Sequence, residues 1–217
     1  MYYEHSKLKL PDKFPDKWEG VFPKKMIKKF GLAEKTFPSD DGKEYSICKW
    51  QREKEFRSHL INCWHLSEFE SDAMWKLYSG NDCGIAIQST IQRFQGSFQK
   101  TDERVWIGLV EYEDFNTWQP KNKHFNTDTP NILQTFFLKR KGFEHENEIR
   151  AIIDKSYKKH KCEIGIPVKV DLNELIENIY ISPTSGDWFK QLVENVTKKC
   201  NFEFNIKKSD LGIKPYM

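Results

Sequence analysis

The sequence predicts an α+β fold: a single domain over residues 1–217, with a mixed, mainly antiparallel sheet flanked by short helices. Three observations predict it. The apolar runs that read as strands are short and unevenly spaced, and long helices do not alternate with them as a doubly wound sheet requires. A chain of 217 residues is long enough to bury one substantial core without disulfides. Its 16 Phe, 8 Tyr and 7 Trp promise an aromatic interior and argue against disorder.

Residues 1–47 should be largely irregular, because Pro11, Pro15, Pro23 and Pro38 interrupt any regular element. Within them Lys24 to Phe30 fits a short helix, and Asp40, Asp41 and Gly42 mark a turn. Trp50 to Leu60 alternates charge at helical spacing and leads into a strand at Ile61. Ser67 followed by Glu70 forms a capping box, which starts a helix near Ser67. On that helix Phe69, Ala73 and Leu77, flanked by Met74, should face the core, while Ser71, Trp75 and Tyr78 form a neighbouring stripe. Asn81 and Gly84 bracket a tight turn before a short buried strand, Ile85 to Ile87.

Trp106 to Tyr112 alternates as a strand, and Glu113 to Thr129 reads as a long surface loop. Asn131 to Arg140 suggests a helix with Ile132, Leu133, Phe136 and Phe137 on one side. Glu148 to Ile153 is a buried strand, Ile164 to Val170 another, and Asp171 with Glu174 caps a short helix ending at Ile176. Ile179 to Ser182 is strand-like and ends at Pro183. A last amphipathic helix carries Phe189, Leu192, Val193, Val196 and Cys200, with Leu192 and Val196 expected on its core face, and Phe202 to Ile206 closes the order as a strand.

No run approaches the roughly 20 apolar residues of a membrane span, and the N-terminus lacks the apolar core of a signal peptide, so no membrane partner and a cytoplasmic location are expected. Cys48, Cys63, Cys83, Cys162 and Cys200 are odd in number and widely spaced, which fits reduced thiols and predicts no metal site built on cysteine. The net charge of +3 hides lysine clusters at 24–29, 139–141, 155–161 and 198–208. These would attract nucleic acid or a nucleotide phosphate, or simply solvate the surface, since acidic residues are interspersed among them.

Two constellations stand out. Trp64, His65, Ser71, Trp75 and Tyr78 put stacking and hydrogen-bonding groups on adjacent elements, although these aromatics read equally well as core packing. Glu146 and Glu148 stand two residues apart at the entrance to an apolar strand, so in extended backbone they share a face. Their mutual repulsion raises the proton affinity of one, which suits acid/base work or stabilisation of a developing cation. The plainer alternative is that both glutamates balance Lys139, Arg140, Lys141 and Arg150.

The segments Leu10 to Gly20 (Leu-Pro-Asp-Lys-Phe-Pro-Asp-Lys-Trp-Glu-Gly), Cys63-Trp64-His65 to Tyr78, Gly84 to Ile87, Phe143 to Arg150 and Ile179 to Pro183 resemble the bacterial domain-of-unknown-function family numbered 2971. That family carries a helix before the Asp16-x-x-Glu19-Gly20 motif, where only a few residues stand here. The order of parts is also similar to that of DarT-type ADP-ribosyltransferases: a strand ending in an aromatic, Ser71-x-x-Met74-Trp75-x-x-Tyr78, a short apolar strand, and a late glutamate leading an apolar strand.

This resemblance implies an ADP-ribosyltransferase-like fold and an enzyme that cleaves NAD as its substrate and modifies a nucleic acid or protein acceptor, in bacterial defence or a toxin system. Glu148 matches the glutamate that serves glycosidic cleavage, and Glu146 the first member of a Glu-x-Glu pair. Trp75 and Tyr78 would stack nicotinamide, with Ser71 on the same stripe. His65 would hydrogen-bond ribose or the amide, and Arg140 or Lys141 would meet the pyrophosphate.

Cys63 to Tyr78 and Glu146 to Arg150 are then expected to converge on one concave site. Two other readings compete: a non-catalytic module binding nucleic acid or a nucleotide, and a nuclease using Asp16, Glu19, Glu146 and Glu148 around a divalent metal.

Overall fold

The computed structural model describes residues 2–3, 16, 18–38, 42–49, 58–79, 83–118, 132–155 and 165–213. It is an α+β protein with antiparallel and mixed strand pairing. No helix among the described residues is long and apolar enough to cross a membrane. The chain gathers into two compact units. One comprises Met1–Ser6, Cys63–Glu103 and Val168–Met217, the other Lys7–Asn62 and Arg104–Pro167.

In the first unit the strand Ile85–Gln88 pairs antiparallel with Tyr2–Tyr3 on one side and with Asn178–Ile181 on the other. Asn178–Ile181 in turn runs parallel to Asn205–Lys208. A parallel pair needs a crossover, and the helix Asp187–Lys199 supplies it. Phe94, on the helix Ile91–Gly96, fills the interior against Trp64 and Phe98, with ring centroids 5.2 and 5.3 Å apart. The short helix Leu172–Leu175 starts at Asp171, whose carboxylate accepts from the N–H groups of Asn173 and Glu174, as its capping signal requires.

The Ser67–Glu70 cap is not the start of the next helix. Ser67 Oγ accepts from Phe69 N within a turn, and the helix Asp72–Tyr78 begins five residues later, capped by Ser71 Oγ accepting from Met74 N. Its buried face is also reversed. Trp75, placed on the neighbouring stripe, is the buried residue, whereas Phe69, Ala73 and Leu77, expected in the core, are exposed, as is Tyr78. Gly84 lies so close to Ser79 that a Cβ would sit 2.3 Å from the serine Cβ, which explains a glycine there, but Ile85 in the strand that follows is exposed rather than buried.

The same correction applies to the helix Asp187–Lys199. None of its residues is buried, and Leu192 and Val196, expected in the core, are exposed. The closing strand is Asn205–Lys208 rather than 202–206, since Phe202 and Phe204 stack on each other before it, with centroids 4.9 Å apart. Residues 165–170 form no strand.

The second unit packs Phe22, Met26, Leu32, Phe115, Trp118 and Leu138 into one cluster. Pro23 and Gly31 bound the helix Lys24–Phe30. Proline cannot continue a helix backwards, and Gly31 takes the left-handed backbone (φ 60°) that closes the last turn. Within residues 1–47, expected to be largely irregular, the strands Thr36–Pro38 and Glu44–Ser46 also form an antiparallel pair, with Gly42 at φ 73° in the connection.

Phe115 and Trp118 are core residues, so the start of the expected surface loop is folded inward; residues 119–130 of it lie outside the described residues. The expected helix 131–140 is a four-residue helix, Ile132–Thr135, followed by the strand Leu138–Arg140, which runs parallel to Glu111–Glu113. His59 and Leu60 belong to the strand His59–His65 rather than to a helix, and residues 50–57 lie outside the described residues.

The strand Glu148–Asp154 pairs antiparallel with Val105–Leu109 and is buried from Glu148 to Ile153. Opposite Arg150 stands Gly108, where a Cβ would come within 2.9 Å of the Phe137 ring.

The burial pattern of the helix Asp72–Tyr78 gives a direct test. Trp75→Ala is expected to cost roughly 3–5 kcal/mol, and Leu77→Ala to stay within about 0.5 kcal/mol, measured by urea unfolding followed by circular dichroism. Comparable losses in the two variants would show that this helix packs through its Leu77 face.

Candidate functional site

The second unit contains a buried ionic cluster built on the strand Glu148–Asp154. Glu148 and Arg150 are two residues apart on one strand, so their side chains leave from the same face. Arg150 is fully buried. Its Nε donates to Glu148 Oε2 at 2.5 Å, its Nη2 to Glu19 Oε1 at 2.8 Å and its Nη1 to the Phe136 carbonyl at 2.7 Å. A guanidinium out of water requires such partners on every edge, because its desolvation cost is otherwise uncompensated.

Lys139, on the strand Leu138–Arg140, is the second cation. Its Nζ lies 2.9 Å from Glu148 Oε1 and 3.1 Å from Glu19 Oε1, and it also donates to Glu146 Oε2. The ammonium stands 4.9 Å from the centroid of Phe143, whose face adds a cation–π contact. Glu146 ends a 3-10 helix, Lys141–Glu146, and Asn147 follows at φ 37°. This left-handed residue turns the chain between the two glutamates. They therefore meet at Lys139 through a backbone reversal, not by the extended same-face geometry expected of residues two apart.

The Asp16-x-x-Glu19 motif closes the cluster. Asp16 Oδ1 accepts from Trp18 N at 3.1 Å and from Arg140 Nε at 2.8 Å, which holds a turn that delivers Glu19 inward. Thr135 Oγ1 donates to the Gly20 carbonyl at 2.9 Å and fastens the same turn. Asp16 Oδ2 and Glu19 Oε2 are buried acceptors with no donor among the described residues.

The charges do not balance. Glu19, Glu146 and Glu148 surround Lys139 and Arg150, so three carboxylates face two cations. The surplus is relieved where a proton costs least. Burial, and then the hydrogen bond shared with Glu148, push Glu146 up to about 7 from an ordinary 4.5. Burial would also raise Glu148, but Arg150, the hydrogen bond from Glu146 and Lys139 overrule it and hold its carboxyl well below the usual range.

Lys139 is likewise held above its ordinary value: burial alone would lower it, and the charges of Glu148 and Glu19 prevail. Tyr112, whose hydroxyl oxygen accepts from Glu148 N at 2.8 Å, is raised by burial and by the Glu148 charge, so its phenol keeps its proton.

The residues expected to form the site divide between the units. Glu146, Glu148 and Arg140 belong to the second, and His65, Ser71, Trp75 and Tyr78 to the first. Arg140 is exposed and paired with Asp16, so an anion arriving there would compete with that carboxylate. In the first unit Ser71 serves as a helix cap, and Trp75 is buried with its Nε1 donating to Glu70 Oε2 at 3.0 Å. Tyr78 is exposed at the end of that helix. His65 ends the strand His59–His65, in register with Tyr2.

Among the described residues no group of three or more His, Cys, Asp or Glu is placed to hold a metal ion, and the centre of the acidic cluster is taken by Lys139 Nζ. Tyr112 and the inward role of Lys139 escaped the sequence reading. The available signal was a lysine directly after Phe136-Phe137-Leu138 and an arginine inside Ile149-Arg150-Ala151-Ile152-Ile153, since a charge within a buried strand must be paired.

Two measurements follow from this charge count. Lys139→Met should destabilise the protein by roughly 3–5 kcal/mol, because it leaves buried carboxylates facing Arg150 alone; chemical unfolding measures the loss, and a loss under about 1 kcal/mol would mean that the cluster is solvated.

The raised value of Glu146 also sets a pH dependence. The folded state holds this proton more tightly than the unfolded chain. The stabilisation is therefore complete below about pH 4.5 and is lost as pH rises through about 7. Wild-type stability should fall by roughly 1–3 kcal/mol across that window, and this component should vanish in Glu146→Gln. An identical pH slope in the variant would assign the titration elsewhere.

No family model, curated protein or solved structure matches the chain.

Proposed function

We propose that the Glu146–Glu148 cluster is the acid/base and charge-stabilising centre of an ADP-ribosyltransferase-like enzyme that cleaves NAD and transfers ADP-ribose to a nucleic acid or protein acceptor. The observation that carries this reading is the division of labour between adjacent carboxylates. Two groups whose surroundings drive their proton affinities apart are suited to separate roles in one reaction. Glu148, kept ionised by Arg150 and Lys139, supports the positive charge that develops on the ribose as the bond to nicotinamide breaks. Glu146, near its midpoint at neutral pH, accepts the proton from the acceptor N–H or O–H as that atom bonds to the ribose anomeric carbon. Nicotinamide departs with the bonding electron pair.

The resemblance of the chain's motif order to DarT-type enzymes supports the same assignment. Arg140 supplies the positive charge for pyrophosphate, in exchange with Asp16.

One observation favours a different class. Both oxygens of Glu148 are already engaged, Oε1 by Lys139 and Oε2 by Arg150, as in a cluster that only holds the unit together. On that reading the chain is a non-catalytic module that binds nucleic acid or a nucleotide.

The experiment is to incubate the purified chain with NAD and DNA, RNA or cell lysate, and to follow nicotinamide release and ADP-ribose attachment from about pH 5 to 9. Wild type should show an inflection near pH 7 that Glu146→Gln lacks. Glu148→Gln should lower turnover roughly 100-fold or more, with folding checked by circular dichroism. Glu146→Gln should impair transfer more than hydrolysis of NAD. Absence of both NAD binding by calorimetry and nicotinamide release under every acceptor condition rejects the enzyme and leaves the binding module.

A further inference from the structure

The helix Lys24–Phe30 arranges its charge against its own stability. At about 100° per residue, Lys24, Lys25, Lys28 and Lys29 fall within one arc and are all exposed, while Met26 is buried and Ile27 and Phe30 pack on the core beneath. Lys24 stands four residues from Lys28, and Lys25 four from Lys29, so each pair repels. Lys24 and Lys25 also occupy the first turn, where the helix dipole disfavours a positive charge, and no acidic residue accompanies them there. Other helices of the protein fill the same spacing with opposite charges, Lys76 with Asp72 and Lys190 with Glu194. Lys24, Lys25 and Lys28 meet no carboxylate among the described residues, and Glu34 is the one acid between positions 24 and 35. Lysines that merely solvate a surface do not require this crowding, whereas a bound polyanion relieves it.

Trp18 stands at the entrance to this helix, in the turn that Val21 N closes on the Trp18 carbonyl at 3.2 Å. Its ring is 46 % exposed, and the buried Phe115 holds it edge-on, with centroids 6.2 Å apart and planes at 90°. Phe115 belongs to the same core cluster as Phe22 and Met26, so the indole and the lysine helix are fixed on one packed body. An indole held from one side loses little freedom when a base stacks on it.

We infer that Trp18 and the lysines of the helix Lys24–Phe30 form a surface for single-stranded nucleic acid, the lysines following the phosphates and the indole stacking on a base. As the choice of acceptor this rests on the transferase reading; as a binding surface it stands without it. A duplex keeps its bases stacked on one another and offers none to Trp18, so only its phosphates would be used. An acidic peptide likewise leaves the indole without a ring to meet. A membrane surface calls for an apolar stripe beside the basic one, and the apolar side of this helix is already packed into the core.

Fluorescence anisotropy of the full chain with a labelled oligodeoxythymidine strand, over a salt series and without NAD, tests this. Wild type should bind the strand more tightly than a duplex of the same length. Lys24→Gln, Lys25→Gln and Lys28→Gln combined should reduce the slope of log affinity against log salt by roughly 2. Trp18→Leu keeps apolar bulk against Phe115 and should weaken binding roughly tenfold with the slope unchanged, and Trp18→Tyr should retain most of the affinity. The three lysines are exposed, so circular dichroism of their variant should match wild type.

Four results overturn the inference: a wild type that does not bind the strand; a duplex, polyglutamate or phosphatidylserine vesicles competing as well as the strand does; a lysine variant with the wild-type slope; or wild-type affinity in Trp18→Leu. Strand binding without nicotinamide release keeps this surface and rejects the transferase. Transfer of ADP-ribose by a chain that does not bind the strand does the reverse.

Discussion

Burial of the Arg150 guanidinium is the constraint on which the second unit depends. A cation with no exposed surface is tolerated only when each of its edges finds an acceptor, and here the acceptors come from three separate stretches of chain: Glu148 on its own strand, the Phe136 carbonyl, and Glu19 more than a hundred residues earlier. Meeting that requirement fixes other choices. The turn that presents Glu19 is secured by Asp16 with Arg140 and by Thr135 with Gly20, and the strand opposite Arg150 carries a glycine that gives room to Phe137. A cluster of this kind is worth little more than well-packed apolar residues would be, but its failure is costly, so it specifies an arrangement more than it deepens stability.

What could be read from the sequence was whatever a local rule settles alone. The continuous apolar run after Glu148 could only be a buried strand, Pro23 and Gly31 fixed both ends of a short helix, and Asp171 announced a cap. Faces were harder to read. Hydrophobic period identifies which residues of a helix lie side by side, but it does not say which side the rest of the molecule will cover. Phe69 and Leu77 satisfied the period and remain exposed, while Trp75 is buried, and Leu192 and Val196 repeat the pattern. Ser67 offered the capping hydroxyl, yet it closes a turn, and the helix is capped by Ser71 instead.

The site was legible in part for the same reason. Glu146 and Glu148 were visible as a pair, and their mutual influence follows from proximity. That they meet through Lys139 depends on Asn147 adopting a left-handed backbone, which nothing in the strand pattern announces. Glu19 was grouped with the two glutamates only as a metal ligand, not as a partner of Lys139 and Arg150, and Tyr112 enters from a distant segment that no spacing rule reaches. Charged residues inside apolar runs were the one usable sign, because Lys139 and Arg150 could not be buried without the carboxylates that surround them.

Structure and chemistry are coupled in this unit through the uneven charge count. With three carboxylates and two cations, the cluster favours a proton at Glu146, which burial raises, while Arg150 and Lys139 hold the neighbouring Glu148 ionised. Loss of either cation would raise the proton affinity of Glu146 further and loosen the Glu19 turn as well. Loss of one carboxylate would bring the count to neutrality and remove the reason for the proton to remain. The titration of Glu146 is thus a property of the entire ionic core, and any change that rebalances the core alters both the pH range in which that residue can exchange a proton and the stability of the fold that holds it.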